Sequence, residues 1–99
     1  MPHPSKRKGS AFELEVVHYL QAQGIAATKV PLSGAVADYK GDIDCPVRGI
    51  DRKLECKRRA QAFGTLYGFM ADNYAVVVRD NRTPPLVVMR LEDFAELAK

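Results

Sequence analysis

The sequence predicts an α/β fold, a mixed five-stranded sheet flanked by helices in the order α-β-β-β-α-β-β-α. Three observations predict it. An amphipathic stretch near the N-terminus carries helix start and stop signals. Two strand-like runs flank a glycine turn between residues 42 and 58. A second pair of valine-rich runs, YAVVVR and LVVMR, is joined by a turn containing Pro84 and Pro85. Helical stretches before, between and after these runs supply the layers that cover a mixed sheet.

Taken in order, residues 1–8 are polar, basic and proline-containing, and read as a flexible tail ahead of a single domain spanning 9–99. From Ser10 to Gln23, Phe12, Val16, Val17 and Leu20 recur at helical spacing. Ser10 suits an N-cap with Glu13 completing a capping box, and Gly24 suits the left-handed residue that ends the helix. A strand over Ile25 to Val30 precedes a loop from Pro31 to Gly41, long enough in so small a domain to suggest binding. Strands follow over Asp42 to Arg48 and Arg52 to Arg58, with Gly49 at the first central position of a type II′ turn. Pro46 belongs at an unpaired edge position or in a bulge. A second helix spans Ala60 to Ala71, interrupted by Gly64 and Gly68. Buried strands cover Tyr74 to Arg79 and Leu86 to Arg90, and a short helix over Leu91 to Ala98 closes the chain.

The composition is that of an ordinary soluble domain. Of the 99 residues, 46% are hydrophobic and 27% charged, and the length supports one modest core. No apolar run approaches the roughly 20 residues needed to cross a bilayer. No signal-peptide pattern follows the basic N-terminus, so a cytoplasmic location is expected. Cys45 and Cys56 lack metal-ligand spacing and nearby histidines, which argues against zinc and for reduced, buried thiols. The net charge of +3 says little, but its distribution says more. Lys6, Arg7 and Lys8 open the chain, and Arg48, Arg52, Lys53, Lys57, Arg58 and Arg59 crowd a short segment. Clustered cations draw phosphates by counterion release, whereas a solvated charged face keeps a protein soluble.

The hairpin can be tested geometrically. A two-residue loop at Gly49-Ile50 pairs Arg48 with Asp51, Asp44 with Glu55, and Asp42 with Lys57. Directly paired residues share a sheet face, as do residues two apart on one strand. Asp42, Asp44, Glu55 and Lys57 then project from one side, and Ile43, Cys45, Leu54 and Cys56 from the other. Such a set can be a plain cross-strand ion-pair ladder. Glu-x-Lys alone has about one chance match in three chains of this length, so weight falls on its company: Asp42 before it, Glu13 in the first helix and the loop between. Clustered carboxylates without histidine suit Mg²⁺ or Mn²⁺, which can activate water for phosphodiester hydrolysis, with a lysine offsetting charge.

Four blocks bring a family into view: Lys8-Gly9-Ser10-Ala11-Phe12-Glu13, Pro31-Leu32-Ser33-Gly34, Gly41-Asp42-Ile43 and Leu54-Glu55-Cys56-Lys57. In order and spacing they resemble the PD-(D/E)XK nuclease superfamily, and within it the archaeal-type Holliday junction resolvases and their small bacterial or phage relatives. Gly41 takes the place of the motif's proline. The resemblance implies a restriction-endonuclease-like fold and a Mg²⁺- or Mn²⁺-dependent DNA endonuclease of recombination and repair. It implies catalytic roles for Glu13, Asp42, Glu55 and Lys57, with Asp42, Glu55 and the main-chain carbonyl of Cys56 as metal ligands. It further implies DNA contacts from Lys6, Arg7, Lys8, Ser33, Arg58 and Arg59, and a homodimer in which each subunit nicks one strand. Two rivals remain at this point: a nuclease for flaps, nicked duplex or restriction-type targets, and a non-catalytic DNA-binding protein on the same fold.

Overall fold

The computed structural model describes residues 4–30 and 42–99. The elements run α1 (Pro4–Ala22), β1 (Thr28–Lys29), β2 (Ile43–Val47), β3 (Ile50–Leu54), α2 (Gly64–Met70), β4 (Ala75–Val78), β5 (Leu86–Met89) and α3 (Leu91–Ala98). Their order is the one expected. The pairing is different. The described strands form two antiparallel sheets, β1-β2-β3 and β4-β5, in place of one mixed five-stranded sheet. Short connections favour this outcome, because a hairpin needs only a tight turn whereas a parallel partner needs a long crossover.

Helix α1 starts at Pro4, earlier than the expected Ser10. Proline suits the first helical position, where its missing N–H is not needed. Lys6, Arg7 and Lys8 are good helix formers, so the segment read as a flexible tail is helical from Pro4 on. Ser10 therefore lies inside the helix and does not cap it. The far end is as read. Gly24 has φ +86°, its N–H donates to the Gln21 carbonyl at 2.9 Å, and the Ile25 N–H reaches the Leu20 carbonyl at 3.0 Å. These two bonds make a Schellman cap.

The described residues divide into two compact units, one within residues 1–58 together with Leu97–Lys99, the other Arg59–Glu96. In the first, Val16, Val17 and Leu20 of α1 are buried with Ile25, Ala27, Val30, Ile43, Cys45 and Ala98. The Arg48 N–H donates to the Ala98 carbonyl at 2.8 Å, tying the hairpin turn to the end of the chain. In the second unit only Met70 and Ala95 are buried among the described hydrophobic residues. The valine-rich runs expected to be buried are open to solvent at Val77, Leu86 and Val87. Two strands have too few neighbours to cover both faces of so apolar a pair.

The β2–β3 register is Ile43↔Leu54, Asp44↔Lys53, Cys45↔Arg52, Pro46↔Asp51 and Val47↔Ile50. The turn is thus Arg48-Gly49 and not Gly49-Ile50. Arg48 at φ 51° and Gly49 at φ 86° both occupy the left-handed region, the signature of a type I′ hairpin. The pairing slips by two residues from the expected one. Side chains alternate with a period of two, so a slip of two leaves every residue of the paired strands on its expected face. Pro46 sits in β2 opposite Asp51 with no bulge in the register.

A Cβ at Gly49 meets nothing within 4 Å, so replacing it strains only the backbone. Gly49→Ala is expected to cost about 1–2 kcal/mol and to lower the melting temperature by about 4–8 °C per kcal/mol. Gly49→Asn, which tolerates a left-handed φ, should cost less. Thermal melts followed by circular dichroism check this ordering.

Candidate active site

Glu13 occupies the stripe of α1 that carries Val16, Val17 and Leu20, at spacings of three, four and seven residues, which bring side chains to one helix face. An acid on that stripe is only 15% exposed, and its Oε2 lies 3.5 Å from Lys29 Nζ. Lys29 comes from β1, where it stands opposite Ile43. Helix and strand thus deliver a carboxylate and an ammonium to one place.

Asp42 lies just ahead of β2, and its carbonyl accepts the Val30 N–H at 3.0 Å while its own N–H donates to the Leu54 carbonyl at 2.7 Å. These bonds continue the sheet on both sides of Asp42. Its carboxylate Oδ2 accepts the Cys56 N–H at 2.7 Å. The segment after β3 is thereby drawn across the start of β2. In that segment Glu55 and Lys57 are two residues apart, share a side, and form an ion pair at 3.1 Å. Both are more than half exposed.

The Cys56 thiol reports what surrounds it. Burial raises its pKa first, and the negative charges of Asp42, Glu13 and Glu55 raise it further, to about 11. Acids from α1, from the start of β2 and from the end of β3 therefore act on one atom. The side chains of Glu13, Asp42 and Glu55 offer oxygen donors. An oxygen donor set fits a hard cation such as Mg²⁺ or Mn²⁺. Among the described residues no three acidic, histidine or cysteine side chains stand close enough to grip an ion together. Glu13 is turned to Lys29 and Glu55 to Lys57. The Glu55–Lys57 pair is exposed and of a kind that contributes about 0.2–1 kcal/mol, whereas the Glu13 side of the other pair is only 15% exposed.

Asp44 is engaged otherwise, paired with Lys53 directly across the ladder. The expected Asp44–Glu55 pair is not formed, since Asp44 stands opposite Lys53, and Asp42, Glu55 and Lys57 lie beyond the paired residues of β2 and β3. Lys6, Arg7 and Lys8 ride on the first turns of α1. Ser33 lies outside the described residues. Arg58 and Arg59 are exposed in the segment that follows Lys57. Lys29 is the residue that patterning passed over. A lysine in a two-residue strand has no periodic signal, and only its pairing with Ile43 reveals where it points.

One family model matches this chain, over residues 4–68, more than half of its length and every candidate catalytic residue. It describes nucleases of the PD-(D/E)XK superfamily. The chain belongs to the archaeal Holliday junction resolvase (Hjc) family. No curated protein and no solved structure matches it. Among the described residues no helix is long and apolar enough to cross a membrane.

Burial, and after it the negative charge of Asp42, Glu13 and Glu55, should make Cys56 slow to alkylate. At pH 8 iodoacetamide is expected to label Cys56 roughly 10- to 100-fold more slowly than an ordinary thiol, as read by mass spectrometry of its peptide. Asp42→Asn keeps the hydrogen-bond acceptor but removes a charge, so it should lower the thiol pKa and speed labelling. Labelling at the rate of a free thiol would contradict the raised pKa.

Proposed function

We propose that this chain is a divalent-metal-dependent endonuclease that hydrolyses phosphodiesters in branched DNA, with the four-way junction as its substrate. The observation that carries the reading is the Asp42 carboxylate bonded to the Cys56 N–H, between Glu55 and Lys57 in the chain, within the region matched by the resolvase family. Asp42, Glu55 and the Cys56 main-chain carbonyl would hold the ion, with Glu13 contributing directly or through water. A bound Mg²⁺ or Mn²⁺ supplies Lewis acidity and lowers the pKa of a coordinated water.

Lys57 leaves its exposed pairing with Glu55 to orient the attacking water and offset charge on the phosphate oxygens. The Cys56 N–H keeps the Asp42 carboxylate turned toward the Glu55–Lys57 segment, which fixes the angle between the acidic groups. Arg58, Arg59 and the basic start of α1, Lys6, Arg7 and Lys8, neutralise backbone phosphates, so binding weakens steeply with salt. Ser33 belongs to the loop that positions the scissile phosphate. Two copies of the chain act together, each nicking one strand of the junction.

The test is cleavage of a labelled four-way junction beside linear duplex, flap and nicked duplex, with Mg²⁺ or with EDTA. Junction cleavage in Mg²⁺ and none in EDTA is expected. Asp42→Ala, Glu55→Ala and Lys57→Ala are each expected to lose about 100-fold or more in rate while still binding the junction. Preferential cutting of flaps or duplex would replace the substrate. Metal-independent binding without cleavage would place the chain among non-catalytic DNA-binding proteins.

A further inference from the structure

The observed register sorts the basic cluster of the hairpin by face. Directly paired residues share a sheet face, as do residues two apart on one strand. One face of the β2–β3 ribbon therefore carries Asp44, Pro46, Asp51 and Lys53, two acids against one lysine, and that lysine is already paired with Asp44. The other carries Ile43, Cys45, Val47, Ile50, Arg52 and Leu54, with no acid among them. On this second face Ile43 and Cys45 of β2 are fully buried, whereas Ile50 of β3 is 55% exposed. Arg52, directly opposite Cys45, is exposed too. The packing that covers β2 thus stops short of β3, the outer strand of its sheet. Arg48, at the turn, is also exposed. Among the described residues neither the Arg48 nor the Arg52 guanidinium has an ion pair or a hydrogen bond.

We propose that Arg52, with Arg48 at the turn, makes the outer strand of the hairpin a phosphate-binding edge that grips the DNA backbone, and that Lys53 takes no part in it. The proposal rests on the DNA-cleaving reading and extends the DNA contact along β3. A planar guanidinium meets a phosphate with two parallel hydrogen bonds, which a lysine cannot do. Such a contact fixes where the duplex lies and carries no information about base sequence. β3 runs from the turn into the Glu55–Lys57 segment, and Arg52 stands three residues before Glu55. A backbone anchored on this edge is therefore held by the same strand that leads into the candidate active site. Arg79 and Arg82 are exposed as well, but they flank Asp80 and lie beyond the span matched by the resolvase family. They carry equal charge without the edge, and so serve as controls.

The test measures binding of a labelled four-way junction and a linear duplex over a range of KCl concentrations, in EDTA so that nothing is cut. Wild type is compared with Arg52→Gln, Arg48→Gln, Lys53→Gln and Arg82→Gln, each with its melting temperature recorded. Arg52→Gln should weaken binding to both DNAs about 3- to 10-fold and reduce the slope of log affinity against log salt by about 1. Arg48→Gln should act in the same direction, and carries the test should Arg52→Gln not fold. Lys53→Gln and Arg82→Gln should each change affinity by less than about 2-fold. An unchanged slope in the arginine variants of the edge would overturn the proposal. So would equal losses in Lys53→Gln or Arg82→Gln, since net charge alone would then account for the effect. Failure of wild type to bind either DNA would instead overturn the DNA-cleaving reading on which the proposal stands.

Discussion

The hydrogen bond from the Cys56 amide to the Asp42 carboxylate joins residues fourteen apart in sequence, and the candidate site depends on it. Bonds of an amide to a charged acceptor are roughly twice as strong as neutral ones. This one acts where the regular β2–β3 ladder has ended, since β3 stops at Leu54. Without it the Glu55–Lys57 segment would be free to swing away from the start of β2. The type I′ turn at Arg48-Gly49 sets the register from one end, and the Asp42–Cys56 bond secures the other. Between them the hairpin presents a charged edge in a fixed geometry.

Charge balance shapes the rest of the site. Lysines on β1 and on the segment after β3 pair with Glu13 and Glu55. Because the Glu55–Lys57 pair is exposed, it holds its acid in place at low energetic cost and releases it easily. Tight, buried ion pairs would resist such an exchange. The same hairpin commits Asp44 to Lys53, so one carboxylate of the charged face stabilises the ladder, and the proposed chemistry falls to others. The division of labour follows from position: Asp44 lies within the paired ladder, whereas Asp42 and Glu55 flank its open end.

Much of this was legible in the residues. The Schellman cap at Gly24 was readable because glycine is the residue that accepts φ +86° without a steric cost, and α3 ends where its amphipathic pattern does. The charged face of the hairpin survived an error in turn type, since a slip of two residues preserves side-chain parity. The turn itself was misread because Arg48, a residue with no preference for left-handed backbone, adopts φ 51°. The helical start at Pro4 was hidden behind a plausible cap at Ser10. What could not be read locally was the partition of strands into two sheets, and the pairing of Lys29 with Glu13. Both depend on which strands pair, a property of distant segments and not of any window of sequence.

Titration of ¹⁵N-labelled protein with Mn²⁺, followed by amide resonance broadening, tests the convergence of the acids most directly. Signals of Glu13, Asp42, Ile43, Glu55, Cys56 and Lys57 should broaden first. Those at the Arg48-Gly49 turn, roughly 20 Å along the hairpin at about 3.3 Å per residue, should persist to higher Mn²⁺. Broadening that begins at the turn, or that spreads over surface carboxylates with no preference for these six residues, would contradict the site.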